Sequence, residues 1–156
     1  MNNEAAQNSS QDGLKLNEQI CFPLYALSRS ITQLYQPHLK ELDLTYPQYL
    51  IMLFLWEQPQ ASVSELCKAL LLDTGTLTPL LKRMEQKGLL TRQRDTADER
   101  KVWIRLTDEG TQLREKAKAI PPQMFCEFGM DITEFLQLRE QLYKLLNKIN
   151  PQSNNS

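Results

Sequence analysis

The sequence predicts a mainly α-helical subunit carrying one small β-wing, and three observations lead to that expectation. Apolar residues recur at spacings of three and four through most of the chain, the period of a half-buried helix. Two short periodic segments stand on either side of a tight connection at residues 71–73, and the second has a hydroxyl-rich, basic outer face, the layout of a helix-turn-helix. Directly after them, strand-like runs at residues 89–93 and 102–106 flank a charged segment and read as a hairpin.

Taken in order, residues 1–13 and 150–156 are polar and are expected to be disordered. Residues 14–35 read as a long helix with Ile20, Leu24, Leu27, Ile31 and Leu34 in register. Pro23 has no backbone donor, so this helix either kinks there or begins near Cys21, which would leave the Cys21 sulfur near a helix N-terminus. Thr45 caps a second helix running to about Glu57, with Gln48 three residues on and Pro47 tolerated in the first turn. Residues 58–60 read as a turn, Ser64 as the cap of a short helix through Leu70, and Asp73 as the cap of a helix over residues 74–86 that Gly88 ends. On that last helix Leu77, Leu80, Leu81 and Met84 share the inward face. Gly75, Pro79, Lys82 and Gln86 lie opposite, flanked by Thr76, Thr78 and Arg83, and Gly75 is expected to give the Pro79 ring room. Thr107 caps a helix from Asp108 to about Ala119, which Pro121 and Pro122 stop. The last helix, residues 131–149, aligns Phe135, Leu138, Leu142, Leu145 and Ile149 as a seam for another helix.

The totals narrow the function. At 156 residues the chain is expected to be one subunit, able to share a core with a copy of itself. No apolar run is long enough for a bilayer crossing, and the start is unlike a signal peptide, so a soluble, cytoplasmic protein without membrane association is expected. Three widely spaced cysteines and the single histidine, His38, give neither a disulfide framework nor a metal site; His38 is expected at the surface, and no cofactor is required. Net charge is −1, yet residues 82–105 hold eight basic side chains against four acidic ones, so that window carries +4 and the remainder −5. A local positive field on an acidic body suits double-stranded DNA. Thr74, Thr76, Thr78, Pro79, Lys82, Arg83 and Gln86 form the candidate major-groove face, where hydroxyls and amides reach bases or phosphates and cations reach phosphates. Arg94, Arg100 and Lys101 belong to the wing, with Arg100 the candidate for an adjacent minor groove and Asp98 a carboxylate that could orient it. A solvated charged loop with weak local ion pairs is the plainer reading of the same residues.

The element order, together with LDTGTLTPLLKRMEQKGLLTR and DERKVWIRLT, strongly resembles the MarR family of winged-helix repressors. The stretch NEQICFPLYALSRSITQLYQPHLKELDLTYPQYL resembles the opening of its organic-hydroperoxide-sensing branch, the OhrR-type regulators. The resemblance covers residues 16–146. It implies a winged helix-turn-helix subunit with a DNA-binding lobe at about residues 46–106, dimerised through helices at about 14–35 and 108–149. It places the family's sensing cysteine on Cys21, the tyrosines that hold its sulfur on Tyr25, Tyr35 and Tyr46, and the wing arginine on Arg100; Pro23 departs from the small residue usual there. Cys126 resembles the resolving cysteine of the two-cysteine subgroup, which captures the sulfenic acid of the other subunit. The implied function is a homodimeric repressor that binds a pseudo-palindromic operator when reduced, its two reading helices about 34 Å apart. Organic hydroperoxide would be the signal, releasing DNA through a disulfide between Cys21 and Cys126.

The residues make such chemistry reasonable for Cys21. A helix N-terminus or hydroxyl donors favour the thiolate that attacks a peroxide, and Phe22, Leu24 and their neighbours would bury the hydrocarbon part of an organic peroxide. Packing is the alternative for any cysteine on an apolar helix, and Cys67, beside Leu66 and Leu70, keeps that reading. Three competing functions are expected to fail or succeed by experiment. Asp73-Thr74-Gly75 resembles the active-site triplet of aspartic proteases, but it precedes a helix where that chemistry needs a β framework. Cys21 could serve a thiol peroxidase, which would turn over repeatedly. A repressor of the same fold could respond to a non-covalent phenolic ligand, which reductant would not reverse.

Overall fold

The computed structural model describes residues 13–151. The disorder expected of residues 1–12 and 152–156 lies outside the described residues. Two compact units divide the chain, with their boundary after Tyr35.

The first unit holds a single 3-10 turn at Leu16–Glu18 and the opening of α1, Cys21–Glu41. The helix starts at Cys21, so Pro23 is its third residue. An amide there has no intrahelical acceptor, and proline costs no bond at that position. Of the two starts the sequence allowed, the structure takes the one that puts the thiol at the helix N-terminus. The helix does not end at Tyr35 as expected but continues through Pro37 to Glu41. Leu39, only 2% exposed, anchors the added turn in the core of the second unit.

The second unit is built around α2, Tyr46–Glu57. Its sequence YPQYLIMLFLWE is apolar nearly all round, as a central helix must be, and Ile51, Met52 and Leu55 are fully buried. Its first turn is closed by Gln48 Oε1, which accepts from the Thr45 amide at 3.0 Å. β1, Gln60–Ser62, follows where a turn was expected. The correction has a clear cause: Ala61 faces the core and the strand pairs antiparallel with β3, Val102–Leu106, which lies more than forty residues away in the chain. The wing is therefore part of a three-stranded sheet in the order β1-β3-β2, with β2 at Leu90–Arg94.

α3, Val63–Leu70, is capped by Ser62 and not by Ser64. The Ser62 amide and hydroxyl both donate to Glu65 Oε2 at 2.6 Å, and the Glu65 amide donates back to Ser62 Oγ at 3.2 Å. Ser64, one residue inside the helix, has no such geometry. Leu71 ends α3 in the left-handed region, φ 53°, which turns the chain within three residues into α4, Thr74–Gln86. Burying Leu77, Leu81 and Met84 fixes the rotation of α4 about its axis; each contributes roughly 1.5–3 kcal/mol. Leu80 is only half-buried, at the edge of this face.

α5, Asp108–Ala117, is capped by Thr107 and ends two residues earlier than expected. Thr107 Oγ1 accepts from the Gly110 amide at 3.0 Å and donates to the Gly88 carbonyl at 2.6 Å, joining the start of α5 to the end of α4. Pro121 and Pro122 do not merely stop a helix. They fill the first turn of α6, Ile120–Phe128, where the fixed proline φ favours helix. α7, Ile132–Ile149, begins at the Asp131 cap, whose Oδ1 accepts from the Thr133 and Glu134 amides at 2.7 and 2.9 Å. It has no buried residue: Leu138, Leu142, Leu146 and Ile149 are 36–67% exposed. No helix among the described residues is long and apolar enough to cross a membrane.

Candidate functional site

Asp73 caps α4 as expected. Asp73 Oδ1 accepts from the Thr76 amide at 2.8 Å and Oδ2 from the Thr76 hydroxyl at 2.7 Å, and these bonds hold its carboxyl below the ordinary aspartate range. Both oxygens serve a helix start. Gly75 has a different reason from the one expected. A side chain there would press on Asp73 Oδ1 at 3.0 Å and would meet no atom of Pro79, so the glycine protects the cap. With the inward face buried, Thr74, Thr76, Thr78, Pro79, Lys82, Arg83 and Gln86 are all exposed, as a reading helix requires. The Thr74 hydroxyl lies 3.8 Å from the half-buried Cys67 sulfur, which packs between α3 and α4.

The wing tip is closed by carboxylates. Asp95 Oδ1 accepts from the Ala97 and Asp98 amides at 2.8 and 3.1 Å, and Oδ2 from the Trp103 indole at 2.6 Å. The indole bond is the first cause of a lowered Asp95 carboxyl pKa. The Asp95 amide donates to the Lys101 carbonyl at 2.8 Å, and the Lys101 ammonium lies 4.1 Å from the Trp103 ring centre. Asp98 Oδ1 accepts from the Arg100 amide and from Arg100 Nε, each at 3.1 Å. Arg100 itself is 92% exposed.

Counting charges along the chain overstates what the surface offers. Arg92 Nε donates to Glu85 Oε2 at 2.8 Å, an interaction that leads the lowering of the Glu85 pKa and ties β2 to the end of α4. Lys87 pairs with Asp43 at 2.9 Å. Among the described residues, Lys82, Arg83, Arg94 and Arg105 make no ion pair. Arg105, one of the eight basic residues in the 82–105 window, stands between Gln60 on β1 and Thr91 on β2, neighbours that only strand register shows.

The three thiols are free, Cys21 and Cys126 exposed and Cys67 half-buried. Cys21 is the first residue of α1, in a first turn without acidic side chains, and Ile20, Phe22 and Leu24 around it are 37–69% exposed. The Tyr25 hydroxyl accepts from Arg29 at 3.0 Å. Tyr35 is half-buried and lies fourteen residues beyond Cys21 on the same helix, about 21 Å along the axis at 1.5 Å per residue. Tyr46 opens α2, and burial pushes its phenol pKa up. Cys126 is in the last turn of α6, where its carbonyl accepts from the Gly129 amide at 3.2 Å. His38, expected at the surface, is half-buried, and its Nε2 lies 2.9 Å from Glu127 Oε1.

Residues 33–117 match the family described as transcriptional regulator SarA/Rot. The organic hydroperoxide resistance transcriptional regulator of Bacillus subtilis (strain 168) is 49% identical over 135 residues, covering 86% of this chain and 92% of the relative. The chain belongs to the MarR family of winged-helix regulators. The Bacillus relative places it on the OhrR-type branch. The HTH-type regulator SarZ of Staphylococcus saprophyticus is 41% identical over 133 residues, 85% of this chain and 91% of that one. Among solved structures, reduced AbfR bound to DNA superposes with a TM-score of 0.71 at 34% identity, covering 90% of this chain and 99% of that chain. A MarR variant from E. coli in complex with operator DNA gives 0.75 at 25% identity, over 84% and 97%. This MarR-family chain is a transcriptional regulator and not an enzyme.

Proposed function

We propose that the protein is a redox-sensing repressor whose reduced homodimer holds a pseudo-palindromic operator and releases it on reaction with organic hydroperoxide. The carrying observation is the Cys21 thiol: free, exposed, first in its helix, with no acid in the turn and an apolar surround. Unpaired amides at a helix start favour the thiolate, and the exposed apolar side chains suit an alkyl group. Attack on the peroxide breaks its O–O bond, leaving Cys21 sulfenic acid and an alcohol. The partner subunit's Cys126 then displaces hydroxide from that sulfur, giving a disulfide and water.

Helix geometry supports a division of labour among the tyrosines. Tyr35, about 21 Å along α1 from Cys21, cannot serve the sulfur of its own chain and would serve that of the partner subunit. Tyr46, whose phenol burial keeps protonated, would remain a donor. The unburied faces of α1 and α7 are the surfaces for the second copy, α4 with Thr74, Thr76, Thr78, Lys82, Arg83 and Gln86 is the major-groove reader, and Arg94, Arg100 and Lys101 serve the wing.

Electrophoretic mobility shift with an operator fragment tests the scheme. Cumene hydroperoxide is expected to release DNA from the native protein, and dithiothreitol to restore binding; a Cys21→Ser protein that still releases would refute it. A second reading, release by a non-covalent phenolic ligand, rests on a cavity of about 330 Å³ lined by the apolar Leu42, Leu89 and Leu113 and by Lys116, with Glu109 and the Lys87–Asp43 pair also in its wall. Release by a phenolic acid such as salicylate that dithiothreitol does not reverse would select it.

A further inference from the structure

We infer that the contact between His38 and Glu127 is a tether on the helix that carries Cys126, and that it restrains disulfide formation; the inference rests on the redox reading proposed above. The contact spans 89 residues of sequence and joins the end of α1 to the last turn of α6, both within the second unit. A carboxylate only accepts, so the hydrogen between His38 Nε2 and Glu127 Oε1 is carried by the imidazole. At 2.9 Å, with the His38 side chain 20% exposed, the bond is short and partly shielded from water.

α6 is held at both ends. Ile120 and Met124, 3% and 1% exposed, pin its beginning in the core. At its other end Phe125 and Phe128 lie 5.5 and 6.1 Å, ring centre to ring centre, from Phe135 on α7. Glu127 adds a directional contact to α1. Cys126, between Phe125 and Glu127, is therefore an exposed thiol on a turn fixed from two sides. A disulfide needs sulfurs about 2.05 Å apart with a dihedral near 90°, and a turn held in this way samples few of the approaches that satisfy both. Glu41 lines the cavity beside His38 and could accept from the imidazole if Glu127 were lost, but such a bond stays within α1 and leaves α6 untied.

The step concerned is attack of the Cys126 thiolate on Cys21 sulfenic acid. The S–S bond forms, the S–O bond breaks, and hydroxide leaves as water with the proton from the thiol. Organic hydroperoxide has already supplied the oxidising equivalent.

The test follows two rates in the full-length protein after mixing with cumene hydroperoxide: loss of the Cys21 thiol with sulfenic-acid trapping by a diketone, and appearance of a linked dimer on non-reducing gels. His38→Leu is expected to quicken linking at least threefold while leaving Cys21 oxidation unchanged, and His38→Lys, which keeps a donor opposite Glu127, to return linking towards the native rate. Glu127→Ala, which removes the acceptor, is expected to quicken linking as well. Equal or slower linking in His38→Leu, with an unchanged circular dichroism spectrum, would overturn the tether. Should His38→Leu fail to fold, equal or slower linking in Glu127→Ala overturns it. Cys21 oxidation without any linked dimer in the native protein would instead defeat the redox reading.

Discussion

Asp95 shows how one side chain can govern a loop. Its carboxylate gathers two amides and the Trp103 indole across the mouth of the wing, and so sets the turn from which Arg100 projects. Because those bonds lower its folded-state pKa, the order it confers is present above the unfolded value of about 3.9 and is lost as pH falls through the lower folded value. Asp95→Asn is expected to weaken operator binding at neutral pH, read by fluorescence anisotropy, and to leave the pH dependence of Trp103 emission flatter between pH 5 and pH 2, values at roughly one unit above and two below that reference. An unchanged affinity would show that the wing turn holds without it. On α4, Lys82 and Arg83 act differently, as exposed cations without an ion-pair partner among the described residues. Replacing either by Ala is expected to reduce the slope of log affinity against log salt by about 1 if it meets a phosphate, and a slope equal to that of the native protein would remove that residue from the interface.

Among the elements, the junction of α5 with β2 is the most tightly determined. Gly110 is buried, its carbonyl accepts from the Trp56 indole at 2.9 Å, and a Cβ there would stand 2.0 Å from the Leu89 carbonyl oxygen. No flexible side chain can yield, because the obstacle is backbone. Gly110→Ala should destabilise the lobe by about 1–3 kcal/mol, with the melting temperature in calorimetry falling accordingly; a native-like melting temperature would mean that α5 can slide. The same junction connects α4 to α5 through Thr107 and Gly88, so movement of α5 has a mechanical route to the reading helix.

For the whole molecule, the decisive property is apolar surface that one chain leaves uncovered. α7 buries no residue although Phe135, Leu138, Leu142, Leu145 and Ile149 repeat at helical spacing, and Ile20, Phe22, Leu24, Leu27 and Leu34 are 37–69% exposed in the first unit. A second copy is the partner proposed for these faces. Leu142→Glu is expected to shift sedimentation from dimer to monomer and to abolish operator binding, since two reading helices must be held together to span two half-sites. A Leu142→Glu protein that still sediments as a dimer would place the interface elsewhere.

What the chain alone determined was whatever depends on neighbours within a turn or two. The Asp73 and Thr107 caps, the inward stripe Leu77, Leu81 and Met84, and strand Val102–Leu106 were legible because capping and amphipathic period are local properties. The candidate reading face was legible for the same reason, since burial of one stripe fixes the opposite one. Tertiary structure decided the rest. β1 exists because a distant strand offers it hydrogen bonds, Arg92 and Lys87 are occupied by Glu85 and Asp43, and His38 finds Glu127 on another helix. A carboxylate or a strand edge takes its partner from whatever folding brings within about 3 Å, and that distance bears no fixed relation to separation along the chain.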